Sequence, residues 1–350
     1  METEQLLAAL RAVSPALHRD VSVPVMQCFC FTGKSVHAFN DVVAVKAELQ
    51  VPFAGGVQGA PLLAWLGSAG PQVDFGVEGD VVVFKSRKAR LKTTLLPPAE
   101  FAFVPPVEPE LKVIDPKVLS QLKFLQVSMN FLPLDMMWSS GATLDFGGDN
   151  CTAYSTNDIQ ISRVFLPIQR SDNIPHAIRL PAQFIKLLSG LPEEAFKSLL
   201  FYKDAIEARF EGIRVYSKIA RSAEPQKYRD VFKNNLVKSA KAHGVALPES
   251  FATALQRCAS ALTAKDNDVL TLTVKDGLMR ISGRGKVGKI SDTLAIAGCA
   301  DFNINIQSKS VLSCLKTATH FSVIRGAIMF YGMGPVHLVS LPVFSEKDEG

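Results

Sequence analysis

The stretch PAQFIKLLSGLPEEAFKSLLFYKDAIEARFEGIRVYSKI, Pro181 to Ile219, reads as a short helix, an apolar strand, a turn, a second strand and a third. The same order returns in APLLAWLGSAGPQVDFGVEGDVVVFKSRKARLKTTLLP, Ala60 to Pro97, and in SKSVLSCLKTATHFSVIRGAIMFYGMGPVHLVSLPV, Ser308 to Val343. The copies lie about 120 residues apart, and similarity at a fixed period marks a repeat architecture. Each copy is preceded by a further helix: TEQLLAALRAVS, DPKVLSQLKFLQVS or LPESFATALQRCASAL. Their apolar residues recur at helical spacing: Leu6, Leu7, Leu10 and Val13; Val118, Leu119, Leu122 and Leu125; Phe251, Leu255, Cys258 and Leu262. Asp115 and Pro116 suit the N-cap and first position of a helix. Between the two helices of a copy run alternating strands, such as MQCFCFTGKSVHAFNDVVAVKAEL and DVLTLTVKDGLMRISG. The expected class is α+β, with three repeated domains of two helices packed on a β-sheet. Their expected bounds are 1–107, 108–234 and 235–350. PPVEPE, Pro105 to Glu110, reads as the first linker, and the second boundary is expected between Phe232 and Lys238.

A chain of 350 residues has room for two or three domains, and 47% apolar with 20% charged residues is an ordinary globular composition. The net charge of +5 is compatible with a nucleic-acid partner without requiring one. METEQLLAALRAV carries acids and no basic region before its apolar residues, so it is not a secretory signal, and no run approaches a membrane span. Cys28, Cys30, Cys151, Cys258, Cys299 and Cys314 form no C-x-x-C pair and are expected as buried free thiols in a reducing cytoplasm.

The six expected helices carry the bases Arg11, Lys117, Lys123, Lys186, Arg257, Lys309 and Lys316. Their acids are Glu4 and Glu249, both in a first turn, where they suit the helix dipole. Lys309, Ser313 and Lys316 share a helical face opposite Val311, Leu312 and Leu315. Any one of these bases reads well as an ordinary solvated residue. Their shared sign across the helices suits a phosphate backbone bound without regard to sequence. Catalytic signals are sparse. GRGKVG, Gly283 to Gly288, matches a dinucleotide-loop pattern but precedes the strand-like KISDTLAIAG, so it is read as a hairpin turn. His18, His37, His176, His243, His320 and His337 are scattered, and no metal or cofactor is expected.

A basic run opens inside VVVFKSRKARLKTTLLPPAEF, Val81 to Phe101, with Lys85, Arg87, Lys88, Arg90 and Lys92 and no acid among them. Its part SRKARLKTTLLPPAEF, together with YSTNDIQISRVFLP, EPQKYRDVF and VSLPVF, resembles the bacterial-type sliding clamp, the beta subunit of DNA polymerase III. The resemblance runs from LLAALRAVSPAL to SLPVF, nearly the whole chain, and its divergence suits a phage-encoded version. It implies a non-catalytic processivity factor of the bacterial cytoplasm or nucleoid. In that family two three-domain chains close head to tail into a ring, inner helices surround duplex DNA, and short linear motifs of the polymerase and clamp loader bind a pocket between the second and third domains. Carried over, the pocket wall comprises Thr156, Asp158, Ile159, Ile161, Tyr228, Val231, Val339, Leu341 and Pro342. Read without the resemblance, these are core and packing residues. The dimer interface comprises Lys88, Arg90, Leu91, Thr93 and Leu262.

Three departures stand out. Asp158, Ile159, Gln160 and Ile161 replace the family's Gly-His-Arg-Leu; Ser139 beside Trp138 replaces a leucine; and SEKDEG extends the end as an acidic tail. The stretch expected to face the basic run, GRGKVGK, carries Arg284, Lys286 and Lys289 where the family has acids, so like charge is expected to face like charge. A clamp-like interaction protein that binds clamp partners without encircling DNA is the alternative from another class. An enzyme built on the glycine-rich loop is remote.

Overall fold

A computed structural model describes residues 1–18, 23–87, 89–98, 108–129, 141–148, 150–157, 159–221, 225–241 (236–241 in backbone only), 244–260, 262, 268–285, 288–332 and 334–342. Lys88, Ser139, Trp138, Asp158, His243, Lys286, the first three residues of PPVEPE and the tail SEKDEG lie outside them.

In chain order the elements are α1 (Thr3–Val13), β1 (Cys28–Thr32), β2 (Ser35–Asn40), β3 (Val43–Glu48), β4 (Ala54–Gln58), α2 (Gly59–Leu66), β5 (Asp74–Glu78), β6 (Val81–Ser86) and β7 (Ala89–Thr94). There follow β8 (Leu111–Val113), α3 (Lys117–Phe124), β9 (Gly141–Asp145), β10 (Cys151–Thr156), β11 (Gln160–Leu166), β12 (Ala177–Pro181), α4 (Ala182–Ser189), β13 (Phe196–Phe201), β14 (Ala205–Phe210), β15 (Ile213–Lys218) and β16 (Ala220–Arg221). The last are α5 (Pro225–Lys241), β17 (Val245–Ala246), α6 (Phe251–Ser260), β18 (Val269–Lys275), β19 (Leu278–Gly285), β20 (Gly288–Ala295), β21 (Phe302–Gln307), α7 (Ser308–Cys314), β22 (Ala318–Ile324), β23 (Ala327–Gly332) and β24 (Val336–Ser340).

Two compact units divide the chain. The first comprises Met1–Leu119, Arg170–Pro175 and Leu180–Ala220. Its eight-stranded sheet runs β4-β1-β2-β3-β15-β14-β13-β8, beside a three-stranded sheet β5-β6-β7. The sheet is continuous across the first expected domain boundary, because Val45 of β3 pairs with Val215 of β15 in antiparallel register. On α1, Thr3, Leu6, Leu10 and Val13 form one buried stripe, and α1 packs against β3 and α2. An aromatic cluster fills the space around β6. Phe53 lies 4.9 Å from Phe31, and Phe84 meets Phe53 and Phe75 edge-on at 6.1 and 5.6 Å. Burying such a side chain contributes roughly 1.5–3 kcal/mol.

The second unit comprises Ser120–Gln169, His176–Arg179 and Arg221–Gly350. Its nine-stranded sheet runs β16-β12-β9-β10-β11-β24-β23-β22-β17, and its four-stranded sheet runs β20-β19-β18-β21. Phe251, Leu255 and Cys258 of α6 and Val311 and Cys314 of α7 share one core with Leu270, Leu272, Met279 and Ile281. The second expected boundary falls inside α5. No glycine or proline follows Pro225 until Gly244, so nothing in the chain stops that helix between Phe232 and Lys238.

Candidate functional site

Arg11, Lys117, Lys186, Arg257, Lys309 and Lys316 are exposed, and Lys123 is half-buried. In the second unit α6 and α7 pack side by side, so Arg257 and Lys309 belong to one helix pair. Two of these bases have acidic neighbours that sequence spacing did not reveal. Arg257 donates from Nε to Asp292 of β20 at 3.0 Å, and Lys309 Nζ stands 4.0 Å from Asp268. Asp268 also accepts the backbone N–H of Lys309 at 3.1 Å and a hydrogen bond from the Ser308 hydroxyl, so it closes the start of α7. The helix ends at Cys314, which leaves Lys316 in the following turn. Ser313 bonds back to Ser310 O at 2.6 Å. The sequence reading missed one basic helix: α5 brings exposed Lys227 and Lys233 and half-buried Arg229 against the single acid Asp230 among its described side chains.

The proposed pocket wall is divided by the pleat of one sheet. Register places Ile161 opposite Leu338, and Gln160 opposite Val339. Opposed residues share a face and successive ones alternate. Ile161 therefore joins Tyr154, Leu338 and Met329 on a face that α5 covers with Tyr228, Val231 and Phe232. These three recur at i, i+3 and i+4, the signal by which the helix was detectable. Tyr228 stacks on Tyr154 with ring centres 5.6 Å apart. Arg229 clamps the buried carboxylate of Asp145 on β9, donating from Nε at 2.6 Å and also from Nη2. Thr156 is half-buried opposite Ile161, and Ile159 is exposed, its carbonyl accepting from Ser340 N at 2.8 Å. Val339 and Leu341 are not brought to this face. Both pack into the core under α6 and α7, and Val339 is 1% exposed. Leu338, and not its neighbour Val339, lies on the face with Ile161. Pro342 is half-buried just past β24.

Of the two stretches expected to meet between subunits, the basic run ends on β7, at a sheet edge of the first unit, and GRGKVGK ends on β20, at a sheet edge of the second. Arg90 is exposed, Leu91 half-buried and Thr93 half-buried on β7. Glu78 of β5, on the far side of β6, receives Arg90 Nη2 at 3.0 Å and Lys92 Nζ at 3.3 Å. The basic run thus has an acid of its own, brought by the sheet rather than by the sequence. These pairs are about half exposed, so each contributes only a few tenths of a kcal/mol. The described ends of GRGKVG lie on antiparallel β19 and β20, with Arg284 opposite Lys289 and Gly285 opposite Gly288. Leu262 is half-buried against the core under α6.

Inside the second unit a buried histidine is hydrogen-bonded at both ring nitrogens. His337 is fully buried, with Nδ1 2.8 Å from Ser162 Oγ and Nε2 3.0 Å from Thr317 Oγ1. Burial lowers its pKa to about 4, which keeps the ring neutral. Gln160 Nε2 donates to Ser162 Oγ at 3.4 Å and faces Cys314 Sγ at 3.3 Å. This Ser–His contact has no solvent access: both side chains are buried at 0% exposure. The six cysteines are free, five of them buried and Cys299 half-buried, and burial raises the thiol of Cys30 to about 12. Among the described residues no group of three or more His, Cys, Asp or Glu side chains is placed to hold a metal. Among them, too, no helix is long and apolar enough to cross a membrane.

No family model matches the chain, and no curated protein matches it in sequence. Its fold is nonetheless that of solved sliding clamps. The Bartonella birtlesii sliding clamp, DNA polymerase III subunit beta, bound to griselimycin, superposes with a TM-score of 0.81 at 14% identity, over 98% of each chain. The Pseudomonas aeruginosa sliding clamp, also bound to griselimycin, gives 0.79 at 17% identity over 98% of each. The Helicobacter pylori beta clamp bound to a DNA ligase peptide gives 0.76 at 14%, over 97% of this chain and 98% of that one. The chain thus has the α+β DNA-clamp fold, mixed helices on antiparallel sheets, across its length.

Proposed function

We propose that this protein is a DNA sliding clamp: a non-catalytic processivity factor that closes as a homodimer around duplex DNA and tethers a replicative polymerase. The observation that carries the reading is the clamp fold over 98% of the chain together with exposed bases on acid-poor helices. Arg11, Lys117, Lys123, Lys186, Arg257, Lys309 and Lys316 then contact phosphates and supply no sequence readout. The border of the α5-covered face, where half-buried Ile161 and Val231 lie beside exposed Ile159, receives apolar side chains of partner motifs, a role supported by analogy with the ligase peptide on the Helicobacter pylori clamp. Apolar anchors in a central pocket dominate the affinity of such sites.

Retention on DNA tests this. A closed ring stays on nicked circular DNA and slides off the same DNA once linearised. Replacing Lys117, Lys123, Lys186, Lys309 and Lys316 by glutamate abolishes retention while circular dichroism stays native. Equal loss from circular and linear DNA would instead favour a clamp-like protein that binds clamp partners without encircling the duplex.

A further inference from the structure

We infer that the first unit carries a second nucleic-acid contact, separate from the basic helices: a phosphate-binding groove at the end of its eight-stranded sheet. The groove has a volume of about 1050 Å³ and gathers Lys34, Lys46, Lys197, Arg209 and Arg214 from the β1–β2 turn and from β3, β13, β14 and β15.

Register explains why these cations stand together. Lys46 pairs with Arg214, and Arg214 pairs with Arg209, so three bases occupy adjacent strands on one rung and one face. On its other side Lys46 pairs with His37, whose pKa falls to about 4 through burial and then the charge of Lys46. Like charges placed directly opposite in a sheet oppose folding. Only part of that charge is met locally. Buried Glu207 takes Arg209 in a bidentate grip, Nε at 2.8 Å and Nη2 at 3.0 Å, and Arg214 Nη1 lies 4.0 Å away from it. Glu211 stands 3.6 Å from Lys197, and Glu48 is the groove's own acid. Set against five bases, these leave positive charge in excess, held in place by a buried carboxylate.

The remaining lining selects the ligand. Gln5, Thr32, Ser35 and Gln50 add amide and hydroxyl groups, which with lysine and arginine form the repertoire that contacts phosphate and sugar. The one aromatic in the lining, Phe210, is 5% exposed, so no ring is offered for base stacking. Of the other apolar residues in the lining Leu49 is buried and Met1 and Ile213 are half-buried, so the described lining offers a peptide motif no fully exposed apolar anchor. The occupant is therefore a nucleic-acid backbone, bound without sequence preference.

The test uses the full chain and fluorescence anisotropy with a labelled duplex and a labelled single strand of the same sequence, across a salt series. Lys46→Gln with Arg214→Gln removes two cations from the rung. The expected result is an affinity lowered about tenfold at low salt, with the salt slope reduced by about 1.4–1.8, since each lost phosphate contact removes about 0.7–0.9. The form showing the larger loss is the groove's ligand. Lys34→Glu, on an exposed turn, repeats the measurement should the double variant prove unstable. Wild-type affinity and slope in both variants overturn the inference. So does a loss of binding to polyglutamate with none to nucleic acid, which assigns the groove to acidic peptides. Lys309→Glu with Lys316→Glu separates the two readings: if it binds as wild type while the groove variants do not, the clamp reading fails and the groove stands.

Discussion

His337 is a polar side chain whose environment makes stability depend on pH. Its folded pKa of about 4 lies below the ordinary value of 6.5, so the unfolded chain binds the proton more readily. Stability from this residue is therefore fully present above about pH 6.5 and is lost as pH falls toward 4. A shift of this size corresponds to about 3 kcal/mol. His37, likewise lowered to about 4, adds in the same direction. Urea unfolding between pH 7 and pH 4.5 should show the decline, and His337→Gln should flatten its slope while lowering stability at neutral pH. An unchanged slope in that variant assigns the acid sensitivity elsewhere.

At the scale of one element, α5 and β24 carry a prediction that distinguishes pocket from core. Ile161 and Leu338 face α5, whereas Val339 points into the core beneath α6 and α7. Ile161→Asp places a charge at the half-buried border of the proposed peptide face and should abolish binding of an apolar-ended motif. Val339→Ala should cost about 2 kcal/mol through lost burial and a small cavity, with peptide affinity kept. Isothermal titration of a partner peptide, with thermal unfolding in parallel, checks both. Peptide affinity that falls with Val339→Ala and survives Ile161→Asp reverses the assignment of faces.

For the whole molecule, the proposed ring closes when β7 of one copy pairs with β20 of another. Both are edge strands, and exposed edges offer unpaired backbone groups for such pairing. Glu78 already engages Arg90 and Lys92, and Asp292 already engages Arg257, so these acids are committed within the chain. Arg284 and Lys289 remain, opposite each other on β19 and β20. The interface then depends on backbone pairing and on Leu91, with residual repulsion between bases. Raising salt from about 0.1 to 1 M shortens the screening length from about 10 to 3 Å. Dimerisation should hold or strengthen over that range in sedimentation experiments, and Leu91→Glu should give monomers. A dimer that dissociates steadily with salt would mean that ion pairs between subunits close the ring.

Local periodicity in the sequence determined much of this protein. Leu6, Leu10 and Val13, then Val118, Leu119, Leu122 and Leu125, then Phe251, Leu255 and Cys258 are buried as their helical spacing required. The hairpin in GRGKVG followed from the strand-like residues on both sides. α5 was harder to read, because a long polar helix with three apolar contacts gives a weak periodic signal despite Pro225 at its start. Only the tertiary structure decided which face of β24 lies under α5, since one residue of register moves a side chain to the opposite side of a sheet. It alone joined Val45 to Val215, brought Glu78 to Arg90, and aligned Lys46, Arg214 and Arg209 on one rung. Spacing along the chain records which residues share a local face. Pairing between distant strands depends on how whole sheets align, and no local period encodes that.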